Sequence, residues 1–517
     1  MGLRVSCCEI TMKKFIFVLR IIRNPMKIKP ILTLIIAFVL ICCACTRTEI
    51  PGGNNGNTEP ETPEQPTTPE EPEKPAKPDL AEGTAYVWDE SVIPEIHVSM
   101  TESEWNALLQ RYDQDSNNAD YFHCDVSYVK GTEETVITDA GIKLRGNTSR
   151  RRPEGNGGEM HKNNGADWHH CHFALHFRKF VKDDAHTIKG VRKVILKWLK
   201  DDPTYIREMY CYDLFRRAGV WTGANDVYCR LWLHIEGDAE PAYFGVYQMI
   251  EPVNDEFVKL RADRFGVKKG NLWKCSHNST PADLSGLNAD FSLDNNDGRN
   301  HTYEYKGDAA KYGTALAQLQ DFILKVSGKG PESFHSWIQQ VCDTDLLLKT
   351  YAVNVACGMW DDHWNNGNNY YLFFTTDDIY DYKVFFIPYD YDNTLGTSSM
   401  YDSGRQNPLE WGSRGALMNQ IMKHDDFKAV YKKALMELID PANGLFDINA
   451  SMARIKAWQS RIAPYVDNDT REDCTIADKP ASWGNHGEYR LLTPGSDNFF
   501  RAKTESILAN CQLAISN

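Results

Sequence analysis

Between Pro51 and Asp79 the chain reads PGGNNGNTEPETPEQPTTPEEPEKPAKPD, twenty-nine residues with no aromatic side chain and almost no aliphatic one. Such a stretch cannot bury enough surface to offset the entropy of ordering it. A packed fold must therefore begin after it. Its prolines stiffen it and its glutamates make it acidic, so it reads as a tether.

What precedes the tether has the layout of a secretion signal. Residues 1–30 carry seven Lys/Arg and one Glu, then comes the apolar run Ile31–Ile41, then Cys42, Cys43, Ala44 and Cys45. A basic segment, a short apolar segment and a small residue before cysteine describe a bacterial lipoprotein signal peptide, starting at Met26 and leaving Cys45 as the lipidated residue. The other reading, a membrane-spanning helix, is disfavoured because eleven strongly apolar residues fall short of the ~20 needed to cross a bilayer. Residues 1–45 are thus expected to be the signal region and 46–80 the tether. Together they would hold the protein at the bacterial cell envelope by its N-terminal lipid, periplasmic or surface-exposed. The chain has a net charge of −14, and without the basic leader the remainder carries −20. That balance points away from a nucleic-acid partner.

About 435 residues remain, enough for a unit with a large core. Nine cysteines fall there with no CxxC spacing, which argues against a zinc ribbon and leaves room for one or two disulfides. From Val92 to Arg145 short apolar strands alternate with one helix around Glu102 to Gln110, whose Trp105, Leu108 and Leu109 share a face. HCHFALHF at 170–177 alternates cleanly, with Cys171, Phe173, Leu175 and Phe177 inward and His170, His172, Ala174 and His176 outward. VRKVILKWLK predicts the next strand, and the pattern from Pro203 to Ala218 predicts a helix. Residues 276–310 are polar and expected to be loop; helices dominate from Asp308 onward. The reading is α+β, with a β-rich segment at 81–275 and a mainly helical one at 276–517.

Chemistry concentrates in WDDHWNNGNNYYLFF, from Trp360, and FFIPYDYDNTLG, ending at Gly396. Asp390 and Asp392 are two apart beside an apolar strand, so in extended backbone both carboxylates point the same way and repel unless a cation sits between them. Oxygen ligands of this kind suit Mg²⁺ or Mn²⁺. Asp361, with the amide of Asn369 eight residues on, offers a base and one more oxygen ligand, although Asp and Asn in such a loop also cap their own backbone. His170, His172 and His176 invite a zinc reading or, with fewer ligands than structural zinc wants, a cleft lining.

These segments resemble the CotH (spore-coat protein H) kinase family, atypical secreted protein kinases. IPYDYDNTLG and Met359–Asn369 are similar to its two acidic motifs. IKLRGNTSRRR at 142–152, DDPTYIREMYCYDLFRRAGV at 201–220, FGVYQMIEPVNDEFV at 244–258 and GNLWKC at 270–275 follow in the same order, so the likeness spans roughly residues 90–510. The resemblance implies a two-lobed, protein-kinase-like fold that uses ATP with Mg²⁺ or Mn²⁺ on a secreted or surface protein substrate. It implies Asp361 as catalytic base and Asp390 as the metal aspartate, with Asp392 and Asn369 supporting it. Arg145 and Asn147 would cradle phosphate, and Glu251 matches the family's hinge-like glutamate, a solvated strand end being its plainer reading. The family's KLKF strand appears here as FALHF, with Ala174 and His176 in the lysine positions. The phosphate-binding cation is therefore open among Arg178, Lys143 and Lys197. Arg207 and Glu208 read as an ion pair or as a link to the phosphate loop. The competing class is a non-catalytic surface-exposed binding or adhesion lipoprotein on the same fold.

Overall fold

A computed structural model describes residues 80–294, 298–470, 472 and 474–512; the leader, the tether and Cys45 lie outside the described residues. Seven strands, β1 (Glu95–Met100), β2 (Phe122–Lys130), β3 (Glu133–Arg145), β4 (His172–His176), β5 (Lys193–Lys197), β6 (Asp226–Ile235) and β7 (Ala242–Ile250), close into a barrel in the order β1-β2-β3-β4-β5-β7-β6. All neighbours are antiparallel except β1 and β6, whose parallel pairing seals the barrel. Period-two alternation decides which face is filled. Ile142, Leu144, Phe173, Leu175, Val194 and Leu196 point into one apolar core, each such side chain contributing about 1.5–3 kcal/mol by leaving water.

Helix α1 (Glu102–Gln114) covers this core with Trp105, Leu108 and Leu109. It runs one turn past the expected Gln110. Thr101 caps it by accepting from the Glu104 amide at 3.2 Å, and the Trp105 indole donates to Glu154 at 2.7 Å.

The next helix, α2, spans Arg207–Arg217 rather than beginning near Pro203. Asp202 sets the start: its Oδ2 accepts from the amides of Ile206 and Arg207, each at 2.8 Å. Those are the donors a helix N-terminus leaves orphaned. The helix buries Met209, Tyr210, Leu214 and Phe215 in a second core.

That second core is built around a five-stranded sheet, in order β12-β11-β8-β10-β9, from β8 (Asn271–Cys275), β9 (Phe291–Leu293), β10 (Tyr303–Tyr305), β11 (Tyr370–Phe374) and β12 (Val384–Pro388). The stretch 276–310 is therefore not all loop. Its Asn/Asp-rich composition hides two three-residue strands, and β10 buries Tyr303 and Tyr305 where it pairs with β8. β8 precedes the expected boundary at 275/276 yet pairs with β11, so this sheet draws on both segments.

Helices pack around it, among them α3 (Pro331–Val341), α4 (Thr344–Ala356) and α5 (Asp425–Ile439). α4 is buried along nearly its whole length and is followed by its C-cap Cys357, delivering the chain into the loop that holds Trp360, Asp361 and Asp362. The architecture is α+β. Among the described residues no helix is long and apolar enough to cross a membrane, and Cys124, Cys171, Cys211, Cys229, Cys275, Cys342, Cys357 and Cys511 are free thiols.

Candidate active site

The outer face of β3, β4 and β5 and the loops around β11 and β12 enclose a cleft of about 770 Å³. Register explains which side chains reach it. Lys143 pairs with Ala174 and Arg145 with His172 across β3 and β4, while Ala174 pairs with Ile195 across β4 and β5. These residues and Lys197 line the cleft, whereas the intervening Leu144, Phe173 and Leu196 fill the barrel.

Lys197 is the centre of the site. Its ammonium, nearly buried, lies 2.6 Å from Glu208 on α2, 2.6 Å from Asp390 and 3.3 Å from Asp392. Burial alone would make the lysine easier to deprotonate, but Asp390, Asp392 and Glu208 hold it firmly charged. Burial would likewise raise Asp390; Lys197, helped by Arg145 and Lys274, instead pulls it down to about 2. Glu208 is pushed up to about 7 by burial against the opposing pull of Lys197. Asp392 is also raised, by burial and then by Asp390, with Lys197 pulling the other way. Although surrounded by protein, the Asp390 and Asp392 side chains stay 37% and 45% exposed toward the cleft.

Backbone and α2 together fix this geometry. The Asp390 amide donates to the Tyr212 hydroxyl at 3.1 Å and the Tyr391 amide to Glu208 at 3.1 Å, while Arg145 donates to the Tyr389 hydroxyl at 2.7 Å. Asp390 and Asn369 both sit in the left-handed region, at φ 62° and 58°. Asx residues tolerate that conformation best after glycine, and strain of this kind persists where surrounding contacts over-determine it.

Asp361 lies across the cleft in a cradle of amides. Its carboxylate accepts from Asn366 at 2.6 Å, from Asn368 at 3.0 and 3.1 Å, and from Asn369 at 3.0 Å. Burial, with Asp390 and Asp392 adding repulsion, outweighs the cradle's asparagines and raises it to about 6. Asp362 points away into the protein, where its carboxylate accepts from Asn354 at 2.6 Å and from the Asn365 amide at 2.7 Å. His363 is buried against Ala282 and held neutral, at about 4, by desolvation.

Asn147 lines the cleft on the loop after β3, together with Gly146, Thr148, Ser149 and Arg150. Gly146 has φ 116°, and a Cβ there would meet the Ser149 hydroxyl at 2.8 Å, so the turn needs glycine. Lys143, Lys274 and Lys306 add positive charge to the cleft lining. Burial, with Lys306 and Arg145 close by, brings Lys143 down to about 8.

Two expected ligand residues lie elsewhere. Arg178 follows the end of β4 and turns to Asp184 and the Lys182 carbonyl, outside the cleft lining. Glu251 is neither a solvated strand end nor a cleft residue. It forms a buried bidentate pair with Arg261 at 2.8 and 2.9 Å, accepts from Asn225, and lines a separate cavity of about 20 Å³. Replacing it strands a buried guanidinium. Glu251→Ala is expected to cost about 3–5 kcal/mol in a denaturant titration.

The histidines divide as well. His172 lines the cleft and accepts from the Trp198 amide at 3.0 Å, and burial with Lys197 and Arg145 nearby keeps it neutral. His170 is buried on Thr470 and the Phe244 carbonyl, and His176 lies outside the cleft lining. Among the described residues they form no metal-ligating group of three. Arg207 pairs with Asp202, not with Glu208. Of the three cations left open by the sequence, Lys143 and Lys197 line the cleft and Lys197 is the one that meets Asp390 and Asp392; it lies one strand over from the family's lysine positions. Its partner Glu208, eleven residues on, was the available signal.

A comparison with curated proteins finds no match. The model of the family described as CotH kinase protein matches residues 143–490, more than half of the chain. The matched span opens at Lys143 on the cleft and takes in Lys197, Glu208, Asp361, Asn369 and both carboxylates after β12. The chain belongs to the CotH kinase protein family.

Proposed function

We propose that this family member is a metal-dependent phosphotransferase that moves the γ-phosphoryl group of ATP to Ser/Thr hydroxyls of secreted or surface proteins. The observation that carries the reading is one buried ammonium joining Glu208 to Asp390. In protein kinases a lysine–glutamate ion pair and a metal-binding aspartate must be in place together for transfer. On this reading the barrel is the upper lobe, the second sheet with its helices the lower, and the cleft the nucleotide site.

The residues fit a divalent ion. Three carboxylates converge on the one ammonium of Lys197, and the two open to the cleft, Asp390 and Asp392, retain anionic oxygens for Mg²⁺ or Mn²⁺. Asn369 commits its Nδ2 to Asp361 and keeps its amide oxygen as a further ligand. When bound, the ion supplies charge neutralisation at the β- and γ-phosphates. Lys197 and Arg145 orient the phosphates from the barrel side, with Lys143, Lys274 and the Asn147 loop as further donors. Asp361 accepts the proton of the acceptor hydroxyl at a carboxylate oxygen. A value near 6 leaves it ionised at neutral pH yet more basic than an ordinary aspartate. The same proposal places the work at the bacterial cell envelope, with the lipid on Cys45 and the Pro-rich spacer holding the catalytic unit off the membrane.

The full chain incubated with labelled ATP and Mn²⁺ or Mg²⁺ is expected to label itself or an added Ser/Thr-rich protein. Asp361→Asn should lower kcat by about 10²–10⁴-fold with little change in the KM for ATP. No incorporation with either ion, from protein that binds a surface partner, would instead support a binding module.

A further inference from the structure

The second chemically distinct cluster in the molecule involves none of the cleft residues. His335 on α3, His424 at the N-cap of α5 and Asp426 in its first turn each present one ligand atom, and the three atoms lie within 4.8 Å of one another. His335 Nε2 is 2.7 Å from an Asp426 carboxylate oxygen. The two imidazole rings stand 4.8 Å apart between centroids.

Their surroundings fix both rings. His335 stacks on Phe427 at 4.7 Å and His424 on Phe334 at 6.2 Å. His424 gives α5 no side-chain cap, and its Nε2 is shut off from water with no hydrogen-bond partner. A buried ring nitrogen left in that state costs stability, and structures normally satisfy such a group. The imidazole is therefore spent neither on capping nor on a protein acceptor at Nε2. The two rings are held beside a carboxylate that is itself exposed to solvent.

We propose that His335, His424 and Asp426 bind a divalent transition-metal ion, for which Zn²⁺ is the fitting representative, and thereby pin α3 to the start of α5. Two imidazoles and one carboxylate are the ligand set of three-residue zinc sites, whose remaining position is filled by water. Nitrogen ligands select zinc, copper, nickel or iron over the Mg²⁺ or Mn²⁺ suited to the all-oxygen set in the cleft. The ion replaces the His335–Asp426 hydrogen bond, and the proton of that bond leaves to solvent. Because the ligands come from two helices 89 residues apart in sequence, the ion acts on the packing of those helices.

The two metal sites can be read separately. Zn²⁺ is titrated into the full chain against a chromogenic chelator, comparing wild type with Asp390→Asn, which weakens the cleft site. One equivalent is expected to remain in Asp390→Asn and to raise its thermal midpoint. Adding His335→Ala, or the exposed and therefore structurally mild Asp426→Asn, should weaken that equivalent by about tenfold or more, a loss of ~1.4 kcal/mol per tenfold, and remove the thermal shift. Mg²⁺ in place of Zn²⁺ should give neither effect. The inference is overturned if Asp390→Asn binds no Zn²⁺, or if its Zn²⁺ affinity and thermal shift are the same with Asp426→Asn added. A failure of phosphoryl transfer leaves this test unaffected.

Discussion

Asp390→Asn is expected to lower phosphoryl transfer by about 10²-fold or more while leaving the protein folded. The substitution keeps size and shape but removes one of the two cleft-facing carboxylates, and with it the charge that an ion beside the phosphates needs. Losing such a preorganised electrostatic contact costs about 10²–10³-fold in kcat, and more where the group also holds the metal. Stability moves little, because Lys197 keeps Glu208 at 2.6 Å and Asp392 at 3.3 Å as partners. The kcat with Mn²⁺ and ATP is measured next to the thermal midpoint. Asp362→Asn serves as the control, since that carboxylate faces Asn354 inside the protein: it should cost stability and spare the rate. A folded Asp390→Asn protein that turns over within a factor of ten of wild type removes the phosphotransferase reading.

Physical chemistry explains which parts of this site were readable beforehand. Asp390 and Asp392 were legible as a pair from their spacing after an apolar run, but not for the reason the spacing suggested: β12 ends at Pro388 and Asp390 has φ 62°, so the backbone there is not extended, and the Lys197 ammonium is what draws both carboxylates to one place. Asp361 was separable from Asp362 only by motif position, and the structure gives the reason it matters. One carboxylate lines the cleft and the other is spent on Asn354 and the Asn365 amide.

Failures came where a residue's direction depends on something outside its own segment. Arg178 was placed by continuing the alternation of Ala174 and His176, but β4 stops at His176 and the chain turns, carrying the guanidinium to Asp184. Glu251 looked like an open strand end because its partner Arg261 lies ten residues on, past a turn and a short helix. Lys197 and Lys193 bracket the same strand with the same spacing to its apolar residues, and nothing in KVILK says which one meets α2. The barrel's order, with β5 next to β7 and not β6, also lies beyond local pattern, since it is decided by which faces remain to be covered.

Lys197→Met is expected to have the second large effect, and here rate and stability fall together. Removing the ammonium leaves Glu208, nearly fully buried, with no cation, and leaves Asp390 and Asp392 repelling each other. Breaking a buried pair from one side costs about 3–5 kcal/mol, because the remaining charge stays desolvated. Transfer should fall with it by about 10²-fold or more, since the phosphates lose a fixed positive group. The sign of the pH dependence distinguishes this from a packing defect. Glu208 already titrates near 7 in the folded protein, above its ordinary 4.5, so between those values the folded chain holds a proton that the unfolded chain releases. Stability contributed by that group therefore declines as pH rises through the window, and loss of Lys197 extends the decline upward. The deficit of Lys197→Met should be larger above pH 7 than well below it, where Glu208 is protonated and needs no partner. Adding Glu208→Gln should recover part of the lost stability, because the carboxylate that had been stranded is gone, yet restore none of the activity. Denaturant titrations of the two single variants and the double variant at both pH values give the coupling energy directly. A double variant no more stable than Lys197→Met alone would show that the ammonium is not what neutralises Glu208, and the link from α2 to the carboxylates after β12 would lose its physical basis.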